Sequence, residues 1–294
     1  MAENNPEDIK RAVLGRYSAH ARRWLADLEK TGMPCCGPLE AQASESSCCG
    51  SAKPQASESS CCGSEEPKVS EASSCDCSLA EAADQNVATA IYSKEELKDL
   101  PEDVLTSLGC GNPTAIAGLQ EGESVLDLGS GGGLDCFLSA QKVGPSGRVV
   151  GLDMNADMIQ LARRNAQRVG AENVQFRLGE MEEMPFPDGS FDVIISNCVI
   201  NLSPDKDAVL RECYRVLKPG GRLRVSDIVW TREPSQAERN DLASWTACVA
   251  GALTETDYAD KLRAAGFREV RVEPKGGPDT PVVNLYSGYI SAEK

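Results

Sequence analysis

Apolar residues recur along this chain with two different periods, and the change of period divides it. Between residues 7 and 30, Ile9, Val13, Leu14, Tyr17, Ala21, Trp24, Leu25 and Leu28 fall at helical spacing, which predicts one amphipathic helix. Gly32 and Pro34 end it. Its expected role is to pack on the main body. From residue 31 to 82 large apolar side chains are few, and such a stretch cannot bury a core. Order is expected again from residue 83. Ser93 and Glu96 have the spacing of a capping box, and Pro101 opens a helical turn towards Leu108. Short apolar runs then alternate with helical ones. Strands are expected at 125–128, 148–153, 173–178, 191–196 and 222–228, and helices after the first, second and fourth of them. The run Phe191–Ser196 is apolar on both faces, as a central parallel strand should be. This alternation implies a parallel sheet covered by helices on both faces. Beyond Ile228 the pattern predicts helices at 235–250 and 257–265, then an antiparallel edge pair at 267–272 and 282–291.

The first strand breaks into Gly129-Ser130-Gly131-Gly132-Gly133 and a helical run follows. Glycines in such a turn let backbone N–H groups approach a nucleotide closely. The dinucleotide spacing G-x-G-x-x-G/A is not met: counted from Gly129 its last position is Leu134, and counted from Gly131 it is Cys136. No Gly-Lys-Ser/Thr follows, which excludes a P-loop. The G-x-G-x-G after the acidic strand residue Asp127 resembles the first motif of class I S-adenosylmethionine (SAM) methyltransferases. A turn without ligand is the plainer alternative. Asp153 ends the second strand, 24 residues after Gly129, where a carboxylate can accept both ribose hydroxyl protons. It stands equally well near a helix start, since Asn155 and Asp157 open the next helix. Glu180 and Met181 follow the third strand and are candidates for the adenine. Asn197 and Cys198 follow the fourth.

Charge and cysteine content narrow the chemistry. A net charge of −15 is unfavourable for phosphate backbones and for anionic membranes. No apolar run reaches membrane length, and residues 1–13 lack the apolar core of a secretory signal, so a cytoplasmic protein is expected. There is one histidine, His20, against 13 cysteines, so chemistry must come from thiols and carboxylates. In a reducing compartment these cysteines read as metalloid or redox ligands rather than structural disulfides.

Eight of the cysteines lie between residues 31 and 82. Ala43–Ser51 and Ala56–Ser64 are the same nonapeptide, ASESSCCGS, and pairs recur at 35/36, 48/49 and 61/62, with Cys75 and Cys77 as a degenerate copy. Cys48, Cys49, Cys61, Cys62, Cys75 and Cys77 are candidate redox or soft-ion thiols; a duplicated tether is the alternative. Cys136 and Cys213 sit on apolar helical stripes and read as core. Cys110, Cys198 and Cys248 stand in loops or at element ends beside small or polar residues. Only folding can bring those three together.

SLGCGNP (107–113), VLDLGSGGG (125–133), SNCVINLSPDK (196–206), RVLKPGGRLRVSDI (215–228) and WTACVAGAL (245–253) together resemble the arsenite SAM-methyltransferases, over roughly residues 84–294. RVLKPGG also occurs in quinone C-methylases, so a SAM-dependent C- or O-methyltransferase of a small organic acceptor is the alternative. The resemblance implies a Rossmann-like class I α/β fold. It implies SAM as cofactor, with Asp127, Gly129, Ser130, Gly131, Gly133, Asp153, Met154, Glu180, Met181 and Asn197 as candidate contacts. It implies As(III) held by thiolates at Cys110, Cys198 and Cys248, whose lone pair attacks the methyl group, so that no general base is required. It implies a thiol reductant, thioredoxin or glutathione, a role in detoxification and, as we read it, a monomer. The expected segments are a docking helix (1–30), a Cys-rich linker (31–82), the SAM domain (83–230) and a C-terminal region completing the arsenic site (231–294).

Overall fold

A computed structural model describes residues 4–30, 87–105, 107–275 and 284–294. The repeated cysteines, with Cys35, Cys36, Cys75 and Cys77, lie outside the described residues. The helix α1 spans Pro6–Lys30; α2 (Val87–Ile91), α3 (Lys94–Leu97) and α4 (Pro113–Ile116) precede the sheet. The alternating portion runs β1 (Ser124–Leu128), α5 (Leu134–Val143), β2 (Arg148–Asp153), α6 (Ala156–Val169), β3 (Val174–Leu178), β4 (Phe191–Asn197), α7 (Lys206–Val216) and β5 (Leu217–Trp230). Then come α8 (Gln236–Arg239), α9 (Leu242–Thr246), β6 (Leu253–Thr254), α10 (Glu255–Ala265), β7 (Arg268–Pro274) and β8 (Leu285–Glu293).

The strands form one sheet in the order β3-β2-β1-β4-β5-β8-β7, with β6 beside the end of β5. Strands β1 to β5 pair in parallel, and β8 runs antiparallel to both β5 and β7. Each central strand is sealed on both faces. Leu126, Leu128 and Ile194 pack towards α7 and α10, while Val125, Val193 and Ile195 pack towards α5 and α6. Burying a side chain of this size contributes about 1.5–3 kcal/mol. This explains why continuous apolar runs, not alternating ones, mark β1 and β4. The chain reverses direction of travel beside β1, since β2 and β4 flank it, and such a switch leaves a crevice at the strands' carboxyl ends.

Local chemistry fixes the ends of the elements. Ser93 and Glu96 make both halves of their capping box. Asn155 caps α6 by accepting from the N–H groups of Asp157 and Met158, and Gly170 closes it in the left-handed conformation. Two expectations need correction, and one element has no counterpart in the sequence reading. The helix expected over 235–250 is two short ones, because Asp241 accepts from the Ala243 N–H and starts a new helix at Leu242. The turn after Pro101 extends only over Glu102–Val104, as a 3-10 turn. The two-residue strand β6 was too short to show a period. Among the described residues no helix is long and apolar enough to cross a membrane.

Candidate active site

The crevice is a cleft at the carboxyl ends of β1, β2 and β4. Its floor is the glycine turn. Gly129 and Ser130 both donate their N–H to the Leu152 carbonyl, at 2.8 and 3.1 Å, which folds the turn back over β2. Gly129 and Gly131 have φ of +66° and +51°, which side chains disfavour. Their surroundings differ. A Cβ on Gly129 would strike Val199 at 2.3 Å, whereas one on Gly131 would meet nothing within 4 Å, so the turn leaves room for a ligand there.

Asp153 ends β2 in the wall of this cleft. Its Oδ2 accepts from the Gly131 N–H at 3.0 Å and its Oδ1 from the Asn155 N–H at 2.8 Å. The carboxylate therefore both braces the turn and is placed to receive ribose hydroxyls. Met154, Met181, Asn197 and Ser130 line the cleft as well. These residues fit an adenosyl ligand: a carboxylate for the sugar, N–H groups in a glycine turn and apolar methionines for the ring.

Three candidate contacts lie outside the lining of the cleft. Asp127 is buried beneath the turn and accepts from the Cys136 thiol at 3.2 Å. Gly133 packs under Phe137 and Phe176, where a Cβ would come within 2.8 Å of each. Glu180 turns outward beyond the end of β3 and pairs with Lys10 of α1, because an exposed carboxylate finds a cation there rather than a base edge. None of the three lines the cleft. Conversely, α1 does more than pack. Lys10, Val13, Leu14 and Tyr17 form one side of the cleft, a role the helical period alone could not announce.

Burial pushes the Asp153 carboxyl up to about 6, against the lowering effect of the Asn155 and Gly131 N–H groups. Only the carboxylate accepts two hydroxyl protons. SAM affinity is therefore expected to weaken as pH falls through about 6 and to level off above it. In the ligand-free chain the raised value acts the other way. The native state holds this proton more tightly than the unfolded chain, so Asp153's contribution to stability declines as pH rises from the usual carboxylate range to about 6. Calorimetric SAM titrations across this range test the assignment, and a flat profile would remove Asp153 as the ribose acceptor.

The three cysteines converge at one end of the cleft. Cys110 and Cys198, 88 residues apart in sequence, are joined as a disulfide with a Cα separation of 5.9 Å. The described state thus holds two of the three candidate ligands in one bond. Cys248 is free and buried, and its Sγ donates to the Cys198 carbonyl at 2.8 Å. Both Cys198 (φ 59°) and Cys248 (φ 63°) adopt the left-handed backbone that non-glycine residues rarely enter. Cys198 lines the cleft, so the cluster abuts the cofactor site. Tyr17 of α1 faces Cys248, and Trp245 is fixed above it by donating to the Leu202 carbonyl at 3.2 Å. Burial, with the Asp227 carboxylate nearby, pushes the Cys248 thiol up to about 12. Cys136 and Cys213 are buried in α5 and α7, as read from the sequence.

Sheet order, glycine turn and acidic β2 terminus together define the fold and cofactor site of a class I SAM-dependent methyltransferase. The family model described as "Methyltransferase domain" matches residues 119–266. The chain is 41% identical over 275 residues to an arsenite methyltransferase of Halobacterium salinarum, covering 94% of this chain and 61% of that protein. It is 46% identical over 179 residues to an arsenite methyltransferase of Aquipseudomonas alcaligenes, covering 58% of this chain and 51% of that one. The crystal structure of an arsenic(III) S-adenosylmethionine methyltransferase from Chlamydomonas reinhardtii superposes with a TM-score of 0.60 at 37% identity, covering 68% of this chain and 73% of that one. The chain belongs to the arsenite methyltransferase family. It spans about half to three fifths of the length of the two curated relatives.

Proposed function

We propose that this protein methylates trivalent inorganic arsenic bound by Cys110, Cys198 and Cys248. The observation that carries the proposal is the meeting of three cysteines, distant in sequence, at the wall of the cofactor cleft. Once bound, SAM supplies an electrophilic methyl group. The chain's own residues bind and align. Each thiol exchanges with one hydroxyl of arsenite, forming an S–As bond while the thiol proton leaves with the hydroxyl as water. Cys248, held at about 12, enters this exchange as the neutral thiol. No base is needed, in keeping with a cleft lining that contains no histidine among the described residues. Three sulfurs fix a pyramidal arsenic whose lone pair faces the cleft. Holding it there supplies proximity and alignment, which are worth several kcal/mol of barrier, roughly 7–11 in the best cases.

Residues 31–82 are proposed as the linker, with its thiols in redox or soft-ion service, between the docking helix and the SAM domain. Thioredoxin or glutathione is proposed as the reductant, in a cytoplasmic, monomeric enzyme serving detoxification. A single-turnover assay with SAM, glutathione and arsenite tests the central reading. Methylated arsenic is expected at one equivalent per chain, measured by mass-selective chromatography. SAM binding with no methylarsenic would favour an organic acceptor and reduce the three cysteines to packing.

A further inference from the structure

We propose that Asn197, at the wall of the cofactor cleft, is a positioning residue for the Cys110 thiol, clamping the loop that carries it to the end of β4. The inference rests on the arsenite reading above. The loop from Ser107 to Asn112 belongs to neither strand nor helix, so its backbone groups have no regular partners. One side chain supplies three of them. Asn197 Oδ1 accepts from the N–H groups of Cys110 at 3.0 Å and Gly111 at 3.2 Å. Its Nδ2 donates to the Gly111 carbonyl at 2.7 Å and reaches the Tyr92 hydroxyl oxygen at 3.0 Å and Asp135 Oδ2 at 3.1 Å. Tyr92 in turn donates to Asp135 Oδ1 at 2.8 Å, closing a buried ring of polar groups behind the amide.

This pattern needs an amide. Aspartate would keep the acceptor but lose both donors, and would set a second carboxylate against Asp135. The flanking glycines serve the same contact. A Cβ on Gly109 would lie 2.3–2.4 Å from the Asn197 amide atoms, and one on Gly111 would lie 1.8 Å from Ser226 Oγ. Glycine on either side of Cys110 lets the loop lie flat on the ends of β4 and β5. The Cys110 carbonyl is taken by the Ser287 hydroxyl at 2.7 Å, so both backbone polar groups of Cys110 are held. Because Asn197 and Cys198 are adjacent, the amide sets one thiol relative to the next.

The test uses the reduced full chain and three variants, Asn197→Ala, Asn197→Asp and Gly109→Ala. Two quantities are read: the SAM Kd by calorimetry, and the arsenite concentration giving half-maximal single-turnover methylation. The clamp predicts that the arsenite requirement rises about tenfold or more in all three, and by more than the SAM Kd does, because backbone hydrogen bonds of the loop are lost or forced apart. A residue needed only for folding would move both quantities together. Gly109→Ala leaves Asn197 in place, so it tests the loop even where Asn197→Ala folds poorly. An unchanged arsenite requirement, or a SAM Kd that weakens as much, overturns the clamp. A wild-type chain that binds SAM yet never methylates arsenite overturns the arsenite reading and the clamp with it.

Discussion

Cys198→Ser is expected to lower arsenite methylation by about 100-fold or more while leaving SAM affinity nearly unchanged. The substitution removes a sulfur and little else. The Cys198 N–H still donates to the Ser226 carbonyl, at 2.8 Å in the parent chain, and the residue 198 carbonyl can still receive the Cys248 thiol. Serine offers a harder, weaker donor to a soft ion. Arsenic would then be held by two sulfurs, free to tilt its lone pair away from the methyl group, and the proposed mechanism rests on alignment. Single-turnover methylation, measured alongside a calorimetric SAM titration, separates the two effects. Full activity in the variant would sink the three-thiol arrangement.

Reduction is expected to switch methylation from none to one equivalent per chain. In the described state Cys110 and Cys198 share a bond, so neither can exchange with an arsenic hydroxyl. Two electrons and two protons from a dithiol reductant convert that bond to two thiols, and the reductant becomes its own disulfide. Chain purified without reductant, given SAM and arsenite, should yield no methylarsenic. The same chain, reduced and freed of excess reductant, should complete one turnover. Equal yields from both preparations would mean that the Cys110–Cys198 bond does not close the site.

The sheet was legible because its central strands are apolar on both faces. Val125, Leu126 and Leu128 announce β1 without reference to anything distant. The glycine turn and Asp153 were legible for the same reason, each being a short pattern with a local cause. What sequence order could not carry was direction. Asp127 and Glu180 each lie within two residues of the correct strand end, yet one points beneath the turn to Cys136 and the other outward to Lys10. Tyr17 lies about 230 positions from Cys248 and reaches it only because α1 crosses the cleft. The three cysteines were singled out by their small, polar neighbours and by family resemblance. Their meeting depends on pairings of β4 and β5 that no local spacing encodes.

The left-handed backbone at Cys198 and Cys248 carries a thermodynamic meaning. An L-residue held there gives up about 1–2 kcal/mol relative to ordinary dihedrals. Two such residues amount to about 2–4 kcal/mol, a sizeable share of the 5–15 kcal/mol or so by which a typical domain stays folded. The thiol cluster is therefore a place where the fold is less stable than it could be. Glycine at 198 or 248 would relax that strain, but it would also remove a buried side chain and, at 198, the bond to Cys110, so the strained cysteines are kept at a net gain in the described state.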